Sequence, residues 1–200
     1  VHLCRLLFVM KPDSKLIKKC LNGKEKAHYE LFKLCFPYLM SIASRYYTNQ
    51  EDALTALNDA FLKILKNLAK YDPTRSWMAW MKTILVNTIL NDFRDNRKHF
   101  ELNKLADEED ITENTVYLSI DEINDRVDEA HLIRFVEELP DINRKVFNLH
   151  AIDGYKHREI SELLEIPVGT SRWILNQARK ILMQRIQDET GVGIKLNEAK

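Results

Sequence analysis

Apolar residues recur every three to four positions from Ser14 to Arg97 and again from His131 to Ile186, and no stretch alternates convincingly in the two-residue rhythm of a strand. That rhythm restricts the chain to helices packed on helices, an all-α fold. Five Gly and five Pro in 200 residues agree with long helices and few turns. In the first block Leu16, Ile17, Cys20 and Leu21 share a face. Asn22-Gly23 breaks the pattern, which resumes with Tyr29, Phe32, Leu34 and Phe36, and Pro37 marks a kink or a restart. A second helix is expected from Gln50 to Asp72, with Leu54, Leu57, Phe61, Ile64, Leu65 and Leu68 inward. The polar stretch YDPTRS (Tyr71 to Ser76) stops it, and WMAWMKTILVNTILNDFRDNRK (Trp77 to Lys98) forms a third.

Charge divides the chain again. Between Phe100 and Ala130 there are eleven acids and two bases, a net of −9; the remaining residues hold 28 bases and 19 acids, a net of +9. The formal net charge of zero therefore hides two basic blocks and an acidic connector. The connector has few large apolar residues and no sustained period, which marks a linker. Basic blocks suit an anionic partner such as nucleic acid, although solvated helix faces carry similar charge. The domain organisation expected is 14–98, an acidic linker over 99–130, and 131–188.

The second block contains the most specific local pattern. AHLIRFVEELP is one helix; DINRKVFNLHAIDG is the next, with Asp141 as N-cap and Gly154 as C′. In KHREISELLEI, Ile160, Leu163 and Leu164 point inward, and a turn follows over Glu165 to Val168. A longer helix then places Leu175, Ala178, Leu182 and Ile186 inward, flanked by Ile174 and Ile181. This is a helix-turn-helix pattern, whose second helix lays its N-terminal residues in the major groove of DNA. Thr170, Ser171 and Arg172 would sit where free N–H groups and the helix dipole favour phosphate. Arg172, Trp173, Asn176, Gln177 and Lys180 lie on the outward face. Asn and Gln can pair with adenine, and Arg with guanine or phosphate. An ordinary helical hairpin with a polar surface would give the same spacing.

A wider match narrows these readings. Leu139, Pro140, Arg144, Val146, Phe147, Leu149, Asp153, Gly154, Glu159, Ile160, Leu163, Pro167, Val168, Gly169, Thr170, Ala178 and Arg179 resemble region 4 of the sigma factors of bacterial RNA polymerase. The small extracytoplasmic-function class is the most similar. The resemblance implies that this domain reads the promoter −35 element. Family members often carry Arg where this chain has Ile174 and Gln177, and Ser where it has Trp173. The first block resembles region 2. Asn58, Asp59, Phe61 and Lys63 fit the helix that grips the polymerase clamp, with Asn58 where Gln is usual and Thr55 where Asp is usual. Trp80, Ile84, Asn87, Asn91, Asp92, Phe93, Arg94 and Arg97 match the helix that meets the −10 element. YDPTRS corresponds to the segment that holds a base flipped out of that strand.

The chemistry suits that role. Single strands are held by basic grooves and by pockets for unstacked bases. Asn87 and Asn91 offer donors and acceptors to base edges, and Arg94, Arg97 and Lys98 offer charge to phosphates. Trp77, next to the loop, serves equally as a stacking platform or as core; Trp80 suits the core better. Asn58, Asp59 and Lys63 are the polymerase-binding candidates. The expected partners are core RNA polymerase and promoter DNA, with an anti-sigma factor as a further candidate. The acidic connector would suit a channel made for RNA, or serve as a simple tether.

Other classes find little support. The six His form no metal-ligand spacing, and no phosphate loop, dinucleotide fingerprint or nucleophile elbow occurs. No enzyme activity, cofactor or metal is expected. Cys4, Cys20 and Cys35 form no CxxC pair, which suits buried thiols in a reducing compartment. No apolar run is long enough to span a membrane, and VHLCRLLFVM is too short for a signal peptide, so a cytoplasmic protein is expected, starting at Val1 or Met10. Two alternatives are a helix-turn-helix regulator that acts without polymerase and a degenerate sigma-like module that only binds proteins.

Overall fold

The computed structural model describes residues 11–96 and 129–190, and the chain divides into two units between Asp95 and Asn96. The described residues are helices and short connections, with no strand among them. Arg97, Lys98 and the acidic linker lie outside the described residues.

The first unit is a bundle of α1 (Ser14–Leu21), α2 (Glu25–Tyr46), α3 (Gln50–Asn67) and α4 (Trp77–Asn96), with a 3-10 turn at Leu68–Lys70. Local signals set the starts. Asp13 accepts the Leu16 N–H at 2.6 Å and Asn49 accepts the Glu51 N–H at 2.9 Å, each satisfying an orphan donor of a first turn. Asn22 caps α1, and Gly23 at φ +70° makes the expected break. Pro37 neither kinks nor restarts α2 enough to divide it; the helix runs through an exposed Pro and forgoes one hydrogen bond.

Burial picks other residues than the sequence pattern does. In α2 the fully covered positions are Leu31, Cys35, Leu39, Ala43 and Tyr46, whereas Phe32, Leu34 and Phe36 are half-buried and Tyr29 is exposed. In α3 Leu57, Phe61 and Ile64 are buried as expected, together with Ala53, Ala56 and Ala60. Leu54 is instead exposed. Small residues let helices approach closely, and large ones on the flanks are displaced outward. From α4 come Met81, Leu85, Val86, Ile89 and Leu90, each at most 1% exposed. Cys20 and Cys35 are buried free thiols, and burial pushes the Cys35 thiol up to about 12, which keeps it protonated and inert.

The second unit contains α5 (Glu129–Glu137), α6 (Asp141–Phe147), a π-helical turn (Asn148–Ile152), α7 (His157–Leu164) and α8 (Val168–Thr190). Phe135, Leu139, Ala178, Leu182 and Ile186 form one core cluster joining α5 to α8. Arg134 adds a two-pronged pair to Glu189, at 2.9 and 3.1 Å. Asp141 is the first residue of α6 and Pro140 is its N-cap, a one-residue correction to the expected start. Asp141 instead accepts from Arg144 at 3.0 Å and from Lys145. Arg144 also donates to the Glu137 and Leu139 carbonyls, at 2.8 and 3.3 Å, and so closes the preceding turn. Gly154, at φ +79°, ends the π turn as expected of a C′ glycine.

Candidate nucleic-acid interface

The angle between α7 and α8 is set in three residues, Glu165-Ile166-Pro167. Glu165 takes the left-handed conformation, φ 55° and ψ 45°, unusual for a residue with a side chain. Two bonds hold it there: the Glu165 N–H reaches the Ser161 carbonyl, and Ser161 Oγ donates to the Ile166 carbonyl at 2.5 Å. Pro167 then precedes α8. Ile160, Leu164, Ile166 and Leu175, on and around this turn, are buried. Asn143 Nδ2 donates to the Ile174 carbonyl at 3.1 Å and ties α6 to α8.

This arrangement sorts the expected contact residues of α8. Arg172 and Lys180 are exposed, and Trp173, Asn176 and Gln177 are half-buried on the same side. Ser171 is 0% and Thr170 9% exposed, so the side chains of these two DNA-contact candidates at the helix start are buried and not open to DNA. Both share the inward side with Ile174 and Leu175, three to four residues on. Ser171 Oγ is hydrogen-bonded to His157 Nδ1 at 2.9 Å, and its N–H is taken by the Pro167 carbonyl at 3.1 Å. Ile174 is fully buried, not flanking, so it faces no base.

In the first unit Asn87, Asn91 and Arg94 lie one helical turn apart along α4. Asn87 and Asn91 are exposed, and Arg94, half-buried, donates to Asn91 Oδ1. The loop before this helix is built in advance. Asp72 accepts the Thr74 N–H at 2.9 Å and hydroxyl at 2.7 Å, and these bonds hold its carboxyl below the usual range. Tyr71 donates its hydroxyl to the Arg75 carbonyl at 2.8 Å. Pro73, Thr74 and Arg75 are left exposed above an aromatic base of Tyr71, Trp77 and Trp80 with centroids 4.9 to 5.1 Å apart. Trp77 is 3% exposed, which removes it as a stacking platform for a base; it is core, and the half-buried Trp80 is the more open of the two.

Asn58, Asp59 and Lys63 are all exposed on α3. Lys63 donates to Thr88 Oγ1 at 3.2 Å and thereby also braces α4. Leu54 and Leu62, 40% and 54% exposed, stand four residues either side of Asn58. An apolar stripe through a polar face is a feature of helices that dock on partners. The sequence signal was present as the i, i+4, i+8 spacing, but it was masked because Leu54 also fits the core period.

Among the described residues no three His, Cys, Asp or Glu are grouped to hold a metal ion, and no helix is long and apolar enough to cross a membrane. Comparison with known proteins bears on both units. Sigma-70 region 2 matches residues 31–99, and sigma-70 region 4 matches residues 131–182. The ECF RNA polymerase sigma factor SigW of Bacillus subtilis is 24% identical, over 87% of this chain and 96% of its own. The ECF RNA polymerase sigma-E factor of Escherichia coli is 26% identical, over 88% and 94%. A solved structure of the sigma factor RpoE with the anti-sigma factor NepR, from Bartonella quintana, is 16% identical with a TM-score of 0.47, covering 80% of this chain and 96% of that one. The two family regions occur in order and together span more than half of the chain, and the relatives matched over most of their own length are ECF factors, so the chain belongs to the sigma-70 family, in its ECF class.

Proposed function

We propose that the chain is a sigma factor that binds core RNA polymerase and directs it to particular promoters. The observation that carries this is the presence of both regions, since a simple helix-turn-helix regulator needs no counterpart of the first. In this reading residues 14–98 bind polymerase and the −10 element, 99–130 connect, and 131–188 bind the −35 element. Asn58, Asp59 and Lys63, joined by Leu54 and Leu62, meet the polymerase clamp. Asn87, Asn91, Arg94, Arg97 and Lys98 hold the opened −10 strand. Arg172, Trp173, Asn176, Gln177 and Lys180 meet duplex DNA. Such a factor works in the cytoplasm and performs no chemistry of its own: it lends the polymerase sequence selectivity. Run-off transcription tests the whole reading. The chain is added to sigma-free core polymerase on fragmented DNA from the source genome, and RNA 5′ ends are mapped. Discrete starts sharing a pair of upstream motifs support it. Polymerase binding without transcripts would mark a protein-binding module, and DNA binding without polymerase binding a simple regulator.

Two substitutions separate the DNA contacts. Asn87 is exposed, so Asn87→Ala removes a base-edge contact without opening the core. It should lower promoter opening roughly tenfold, the value of one good base contact, and leave polymerase affinity unchanged. Equal losses in permanganate footprinting and polymerase binding would remove Asn87 from the −10 site. Arg172→Ala and Asn176→Ala should each weaken binding to the −35 duplex by about 1–3 kcal/mol. Only Asn176→Ala should also relax base preference, if Arg172 serves phosphate. Unchanged duplex affinity would move the contact face elsewhere on α8.

A further inference from the structure

Beneath the first turns of α8 lies a polar cluster to which the reading above gives no role. His150 of the π turn and His157 of α7 are stacked, with centroids 4.4 Å apart and planes 18° from parallel. His150 Nδ1 donates to the Tyr155 carbonyl at 2.9 Å, which fixes the orientation of that ring. His157 Nδ1 is anchored to Ser171 Oγ. The two rings are thereby held in register between α7 and the start of α8. The charged groups acting on His157 from the packed elements are His150 of the π turn and Arg172 and Arg179 of α8. On its own helix it is flanked by Lys156 and Arg158, while the Glu159 carboxylate accepts the Lys156 N–H at 2.7 Å. The Tyr155 hydroxyl is pushed up by burial first, then by Asp153 and Glu159. Burial first, then His150, Arg172 and Arg179, push the His157 imidazole down to about 4. At neutral pH the free chain therefore holds this ring neutral, beside two guanidinium groups that resist its protonation.

We propose that this cluster is a phosphodiester site that binds its anion together with a proton: a DNA backbone phosphate seated against Arg172 and Arg179 draws a proton onto His157 of the stacked pair. The inference rests on the assignment of α8 to duplex DNA. A phosphate there offsets the part of the cationic field that Arg172 and Arg179 contribute against protonation. Bound chain then holds more protons than free chain between pH 4 and the ordinary imidazole range. Linkage requires DNA affinity to rise as pH falls through that window.

The test is calorimetric titration of the full chain with a mixed-sequence duplex of about 30 base pairs at low salt, where phosphate contacts dominate. It is run at about pH 6, near the ordinary imidazole value, in two buffers of different ionisation enthalpy. Burial of His157 persists in the complex, so the buffers report a net uptake whose upper limit, reached only on full return to the ordinary imidazole value, is about 0.7 proton per bound chain. Affinity should then rise between pH 7 and pH 5.5, by at most about eightfold. His157→Gln should abolish both the uptake and the rise; His131→Gln, on α5 beside Glu189, should change neither. Binding with equal heats in both buffers, or uptake that survives His157→Gln, overturns the proposal while leaving duplex binding intact. No binding at low salt overturns the proposal and the DNA assignment of α8 together.

Discussion

Replacing Asp59 by Arg should lower affinity for core RNA polymerase about 100-fold, with no change in the unfolding temperature of the chain. Asp59 is exposed near the middle of α3, so the substitution takes nothing from the core. It puts a good helix former in place of a weaker one. In the proposed reading Asp59 faces a basic group of the polymerase, and the loss would come from setting like charges against each other there, at a cost of several kcal/mol. Anisotropy titration of labelled chain with sigma-free core polymerase measures it, and differential scanning calorimetry checks the fold. Unchanged affinity would place the polymerase contact off this face of α3, and with it Asn58, Leu62 and Lys63.

Leu164→Ala should remove about 3 kcal/mol from the second unit. Leu164 is 0% exposed at the end of α7, under the turn that sets the helix-turn-helix angle. Truncation removes three methyl or methylene groups from water-free surroundings and leaves a cavity that Ile160 and Leu175, on rigid helices, fill poorly. A unit of this size carries a total stability of only about 3–9 kcal/mol, so the variant would be near the edge of unfolding. Circular dichroism should show the second unit melting early while the first keeps its transition, and duplex binding should fall in step with the folded fraction. A single unshifted transition would mean that the α7–α8 packing contributes little to the unit.

Much of the architecture is written locally. The helical period places every long helix, Gly23 and Gly154 end elements at positive φ, and the inward set Leu175, Ala178, Leu182 and Ile186 of α8 is buried throughout. The family follows from motif residues that survive in both blocks. The exposed candidates Asn58, Asp59, Lys63, Asn87, Asn91, Arg172 and Lys180 are polar residues off the apolar stripe, which is why pattern alone puts them on the surface.

What the sequence by itself determined is therefore the set of helices, their breaks and the family, because period, caps and turn residues act within a few positions. Only the tertiary structure decided which of several acceptable faces each helix turns inward. An apolar period wide enough to admit Leu54 does not say that Ala53, Ala56 and Ala60 are covered while Leu54 and Leu62 stand in solvent. A tryptophan beside a loop and a serine at a helix start look available in one dimension. Trp77 and Ser171 lie at 3% and 0% exposure because other helices close over them. The same packing brings His150 onto His157, and His157 onto the start of α8, a juxtaposition that no local spacing encodes.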